Sequence, residues 1–255
     1  MHVGEGRIIK ADHAIQLRLL DLQTVDTTIA QLRHRRANLP EKAQLDAAQQ
    51  QRSAAAEELV EAETRVSDLE LAQKQAETDL EPVRERRRRN QQRVDDGSVA
   101  DAKALSGLVE EIQHLDRRIG DLEDAELEVM EQLETAVATR DERAARDAEL
   151  GTKVDELSAR CGELIAGIDR EIEDQTTHRN GIATDIPEAL LASYDKSAAA
   201  HGGVGAAELR NRRCTGCQLE VNAADLRTFA AAADDEVLRC EECGRILIRT
   251  VNSVL

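Results

Sequence analysis

Four of the five cysteines stand in two close pairs, Cys214-Thr215-Gly216-Cys217 and Cys240-Glu241-Glu242-Cys243-Gly244, with 22 residues between Cys217 and Cys240. A two-residue gap lets both sulfurs of a pair point at one ion while the intervening amides turn toward them. Two such turns supply four thiolates, which match the tetrahedral preference of zinc. Four protein ligands fill the coordination shell, so the ion expected here, a single Zn2+, is structural and not catalytic. A redox pair would need a strand–helix setting that the sequence lacks, and two short pairs plus one odd cysteine make a poor disulfide framework. Gly244 suits the tight turn after the last ligand, and Gln218 holds the corresponding place after the first pair. The wide gap predicts an extended loop around Asn222 to Asp235. Cys161 falls on a helical apolar stripe and reads as a small core residue, not as a fifth ligand.

Arginines are the second group able to do chemistry. Arg84, Arg86, Arg87, Arg88, Arg89 and Arg93 crowd one short stretch, and Arg210, Arg212 and Arg213 abut the first cysteine pair. Guanidinium groups hold phosphate or carboxylate in bidentate fashion, so Arg84, Arg86, Arg88, Arg89, Arg93, Arg210, Arg212 and Arg213 are candidate contacts for a protein partner or nucleic acid. The plainer reading, favoured for the first run, pairs it with acidic residues of a facing helix such as Glu110 and Glu111. Arginines beside the cysteines can instead balance the double negative charge of a four-thiolate zinc. His2, His13, His34, His114, His178 and His201 are scattered, and no nucleophile motif, phosphate loop or glycine fingerprint occurs, so no enzymatic activity is expected.

The elements that position these groups follow from composition and period. A third of the 255 residues are charged, the net charge is -17, and one Tyr and one Phe are the only aromatics. Ala, Glu, Arg, Gln and Leu dominate, as in long helices and coiled coils. Leu59, Ala62, Val66, Leu69, Gln73, Ala76, Leu80, Val83, Arg87, Asn90 and Val94 follow a strict 3-4 alternation, a heptad seam. Asp95-Asp96-Gly97-Ser98 is a turn signal, and a second seam runs from Leu105 through Leu115, Leu133 and Val154 to Ile172. Two seams of equal length joined by a tight turn predict an antiparallel hairpin. Each arm would reach on the order of 120 Å if unbroken. One continuous helix pairing in trans is the competing arrangement, disfavoured by the turn and the matched arms. Pro40 predicts a kink or break, and Asn180-Gly181 a helix stop. After it come a short helix over Ala189 to Ala200 and a Gly-rich turn. Glu236 to Arg239 and Arg245 to Val251 read as strands.

The fold class is therefore mainly α: a long antiparallel helical hairpin over 1–180, with its tip near 95–98 and a kink near 40, a linker with a short helix over 181–205, and a small β zinc ribbon over 206–255. No apolar run approaches the roughly 18–20 residues that cross a bilayer, and Met1 to Lys10 lacks the apolar core of a signal peptide, so a cytoplasmic protein without membrane contact is expected. The acidic balance argues against broad adhesion to nucleic acid.

Leu39-Pro40, Lys103-Ala104-Leu105, Glu110-Glu111-Ile112, Tyr194, Gly202-Gly203, the four cysteines and the closing Cys243-Gly244-Arg245-Ile246-Leu247 carry a resemblance that covers nearly the whole chain. The sequence resembles the bacterial family of C4-type zinc-ribbon proteins with an N-terminal coiled-coil hairpin. The resemblance implies non-enzymatic proteins, some of which bind protein partners of transcription or of secretion and flagellar systems, and some of which are linked to nucleic acid. The chain departs from the family at Asp101-Ala102-Lys103, where a basic residue, Glu and Tyr usually precede the Ala-Leu after the tip. The expected function is a zinc-binding adaptor, monomer or weak dimer, that engages protein partners through hairpin and ribbon. The alternative is an RNA- or DNA-binding regulator that uses the ribbon and the arginines.

Overall fold

The computed structural model of the chain describes residues 9–254. The first eight residues of the expected hairpin segment and Leu255 at the end of the ribbon lie outside the described residues. The fold is mainly α, with helices α1 (His13–Ala37), α2 (Pro40–Asp95), α3 (Ala102–Thr184), α4 (Glu188–Ala200) and α5 (Ala223–Ala231). Four short strands, β1 (Ala206–Arg210), β2 (Arg213–Cys214), β3 (Leu238–Arg239) and β4 (Ile246–Ile248), form one sheet in the order β2-β1-β4-β3. The chain divides into two compact units, residues 43–159 and the remainder on either side.

In residues 43–159, α2 and α3 run antiparallel. Arg65 donates to Gln132 at 3.1 Å, Arg84 meets Glu123 at 2.6 Å and Arg87 meets Asp116 at 2.9 Å, so rising numbers on one helix face falling numbers on the other. Every residue of the 3-4 series from Leu59 to Val94 is buried or half-buried. At the tip, Gly97 takes a left-handed φ of 64°, which the absent Cβ permits. Ser98 closes back on the Arg93 carbonyl at 3.0 Å, and Asp101 caps α3 through the Ala104 amide at 2.9 Å.

In the other unit, Asp12 caps α1 by accepting from the Ala14 amide at 2.8 Å. The helix ends where Asn38 returns its amide to His34, and Pro40 opens α2, a position where its missing N–H is no loss. Leu19, Leu22, Val25 and Ile29 of α1 form a core with Ile182 and Ile186 and with Leu190 and Tyr194 of α4. The sheet joins this core. Because side chains alternate along a strand, Ala206, Ile246 and Ile248 face the helices, while Ala207, Leu209 and Leu247 face the cysteines. Both faces of a sheet this small are thus covered. The parallel pairing of β1 with β4, Ala206 opposite Ile246, makes that possible.

Two expectations are corrected. The helix does not stop at Asn180-Gly181 but runs to Thr184, because Ile182 and then Ile186 reach the core before Pro187 ends the run. The segment around 222–235 is not an extended loop. Asn222 caps α5 by accepting from the Ala224 and Asp225 amides, and Leu226 and Phe229, one turn apart, bury themselves beside the cysteines. The strands at 236–239 and 245–251 are shorter than expected, and β1 and β2 were not anticipated.

Candidate metal centre

Each cysteine pair is one tight turn. The Gln218 amide donates to the Cys214 carbonyl at 2.8 Å, and the Gly244 amide donates to the Cys240 carbonyl at 2.7 Å. Gln218 and Gly244 share the left-handed conformation, with φ of 64° and 71°. The two turns are therefore equivalent, and Gln218 adopts a backbone that costs an L-residue about 1–2 kcal/mol. β1 and β2 present the first turn, and β3 and β4 the second.

The turns bring four sulfurs together. Cys214 Sγ lies 4.0 Å from Cys243 Sγ, and Cys217 Sγ lies 3.9 Å from Cys240 Sγ. All four ligand atoms fall within 4.8 Å of one another, and this is the one such metal-ligating group among the described residues. Four sulfurs about 2.3 Å from a central zinc would stand roughly 3.8 Å apart, so the observed spacing fits a tetrahedral thiolate site. Cys214 and Cys240 are buried, and Cys217 and Cys243 half-buried.

The thiols differ in acidity. Burial pushes Cys240 up to about 12 and raises Cys214 as well. Burial also acts to raise Cys243, but hydrogen bonds from the Arg245 amide and guanidinium outweigh it and hold that thiol at about 7. Arg245 thus touches the cluster. Its stem runs so close to Gly216 that a Cβ there would lie 2.7 Å from Arg245 Cδ. Its head group donates to the Val204 carbonyl at 3.0 Å and the His201 carbonyl at 3.3 Å, tying the cysteines to the turn after α4.

The arginines expected to balance the thiolates are engaged elsewhere or stand free. Arg210 pairs with the buried Glu208, and Arg212 and Arg213 meet no carboxylate among the described residues. Near the tip, Arg86 pairs with Glu111 and Arg88 with Glu85, besides the Arg84 and Arg87 pairs above. Among the described residues Arg89 and Arg93 have no such partner. Cys161 is buried on α3 and takes no part in the cluster.

Three polar networks of the ribbon and its base have no signature of their own in the sequence. Arg249, nearly buried, donates to the Phe229, Ala232 and Ala233 carbonyls and so closes the C-terminus of α5. Glu208 accepts from Thr250 at 2.7 Å and Asn252 at 3.1 Å, which pins the segment after β4 to β1. Tyr194 donates to Asp26 at 2.7 Å, Arg179 bridges Asp26 and Asp195, and Gln23 accepts from the Gly205 amide at 2.7 Å. Burial first, then Asp26, pushes the Tyr194 phenol upward, so it stays a neutral donor. The partners of Arg249, of Glu208 and of the Tyr-Asp-Arg set are close in space and distant in sequence, so no local signal marks them.

A long antiparallel helical hairpin and a four-cysteine zinc ribbon are the class these features define. Residues 22–202 match the CT398-like coiled coil hairpin domain and residues 213–247 the C4-type zinc ribbon domain, and the chain belongs to this family. It is similar to the Mycobacterium tuberculosis protein Rv2229c, 32% identical over 241 residues that cover 94% of this chain and 98% of that protein. A Mycobacterium leprae relative, ML1638, is 27% identical over 232 residues, covering 88% and 96%. A solved structure from Mycobacterium smegmatis superposes with a TM-score of 0.84 at 33% identity, over 95% of this chain and 100% of that one. CT398 from Chlamydia trachomatis shares the fold with a TM-score of 0.67 at 16% identity, over 93% and 98%. The ribbon match and the sulfur geometry together assign one structural zinc to Cys214, Cys217, Cys240 and Cys243. No helix among the described residues is long and apolar enough to cross a membrane.

Proposed function

We propose that the chain is a non-enzymatic, cytoplasmic adaptor that engages protein partners through its coiled coil and its zinc ribbon. The observation that carries this reading is the double burial of the sheet. One face packs on α1 and α4 and the other on the cysteines, so the metal is engaged in bracing the face opposite the helices. A zinc with four thiolates offers no position to a substrate. The helices of residues 43–159 offer extended surface, which is what a binding protein needs. The test is a cross-linked pull-down from native lysate with the full chain, repeated after nuclease treatment. A partner retained in stoichiometric amount supports the adaptor; loss of all partners with nuclease removes it.

One observation favours a second reading, nucleic-acid binding by the ribbon. Arg212 and Arg227, both without a carboxylate partner among the described residues, line a groove of about 450 Å³ with Leu226 and Val254. Phosphate contacts there would make RNA or DNA affinity fall steeply with salt. A flat salt dependence, or no binding, rejects it.

A further inference from the structure

The negative charge of the chain is concentrated in one band of the hairpin. Residues 57–81 of α2 and 120–144 of α3 face each other, as the Glu58–Arg143 pair and the Arg65–Gln132 contact show. They hold eighteen carboxylates and four cations, a net charge of -14 out of -17 for the whole chain. Among the described residues only Glu58, Glu123 and Asp141 of these carboxylates meet a cation. Such a field destabilises the arm through self-repulsion. Between Ala62 and Ala136 the helices leave a groove of about 630 Å³, lined by Glu128 and Glu131 as well as Arg65.

On α3 in the same band, Leu127 is 57% exposed and Met130 is 43% exposed. They are one turn apart and share a face. Glu123, Glu126, Glu131 and Glu134 lie within one turn of them on the same helix. Apolar anchors inside an uncompensated negative field ask for a partner with the opposite charge and an apolar stripe of its own.

We propose that this band is a docking surface for a positively charged amphipathic helix of a partner protein. Leu127 and Met130 receive its apolar face, and the surrounding carboxylates receive its Lys and Arg side chains. Helix docking by apolar anchors at helical spacing is a recurrent recognition mode, and Met adapts readily to such a face. A nucleic acid would be repelled. A second copy would bring an equally negative band against this one. The inference rests on the adaptor reading and names the chemistry of one partner.

The test uses the full chain and three labelled peptides of about 18 residues, long enough to form a helix when bound. One carries Lys and Leu at amphipathic spacing, one is the same composition scrambled, and one has Glu in place of Lys. The first binds, the scrambled peptide binds about tenfold more weakly or less, and the acidic peptide does not bind. Leu127→Ser with Met130→Ser weakens the first peptide about tenfold with unchanged helicity, whereas Val109→Ser, at an exposed site on α3 outside the band, changes it less than about twofold. Equal binding of the scrambled peptide together with an inert double variant means a diffuse ion atmosphere and overturns the proposal. So does a loss carried by Val109→Ser. Sedimentation showing a dimer that the double variant dissolves assigns the surface to a second copy and also overturns it. A lysate partner retained by the double variant would leave the adaptor reading intact while sinking this one.

Discussion

Gly205 sits where the turn after α4 enters β1, and replacing it with Ala should be severely destabilising. A Cβ there would stand 2.6 Å from the Tyr194 carbonyl oxygen, 2.8 Å from Tyr194 Cδ2 and 2.9 Å from Cε2. None of these can yield cheaply, because the carbonyl belongs to α4 and the ring is buried with its hydroxyl held by Asp26. Overpacking of this kind costs about 1–3 kcal/mol. Moving the turn away would also stretch the Gly205 amide from Gln23, now 2.7 Å, and the Ile246 amide from the Gly205 carbonyl, now 3.1 Å. Each such bond is worth about 1 kcal/mol. Against this, Ala lowers the entropy of the unfolded chain by the equivalent of about 0.4–1 kcal/mol. The net expectation is a loss of about 2–4 kcal/mol. Urea unfolding measures it with two signals, far-ultraviolet dichroism for the helices and the fluorescence of Tyr194, the only tyrosine in a chain without tryptophan. Gly162→Ala, on α3 with nothing within 4 Å of the added Cβ, is the control and should stabilise by about 0.5–1 kcal/mol. A Gly205→Ala loss below about 0.5 kcal/mol would refute the packing argument.

Three further outcomes are expected. Burial acts to raise the Glu208 carboxyl, but its hydrogen bonds from Thr250, Asn252 and Arg210 hold it below the usual carboxylate range. Its contribution is therefore present above the unfolded carboxylate value and lost as pH falls through the lower folded value, and Glu208→Gln should flatten that acid-side decline in a thermal-melt series. Gly244→Ala forces a methyl into a φ of 71° and should cost the ribbon about 1–2 kcal/mol, read by hydrogen exchange of the Cys240 to Arg245 amides. Replacing Arg86, Arg88 and Arg89 together with Gln should leave helicity unchanged and shift stability by less than about 1 kcal/mol, because the pairs are exposed, and partner binding should persist.

The hairpin was legible because a 3-4 alternation is a local signal and each of its members, polar Gln73 and Arg87 included, is at least half-buried. The cysteine site was legible for the same reason, since spacing alone makes each knuckle. β1 was hidden. Ala206 and Ala207 have little strand preference, Glu208 is acidic yet buried, and the stretch from Ala206 to Glu208 is paired by β4, forty residues later, lying parallel beside it. α5 was legible in principle from Asn222 three residues before Asp225, followed by Leu226 and Phe229, but the cysteine spacing drew the reading toward a loop. Nothing local to Arg245 indicates that its guanidinium lies against Cys243. The Tyr194–Asp26–Arg179 set joins residues far apart in sequence, so only the folded chain reveals it.

The ribbon depends on one zinc held by sulfur alone, and metal analysis with X-ray absorption on the purified full chain tests that most directly. The expected result is one zinc per chain with four sulfur neighbours at about 2.3 Å. Removing the metal, or changing Cys240 and Cys243 to Ser, should expose the ribbon amides to exchange while most helical signal remains, because α2 and α3 have their own seam and the ribbon core lies against the cysteines. A nitrogen or oxygen neighbour at the metal, or a metal-free chain whose ribbon amides stay protected, would contradict it.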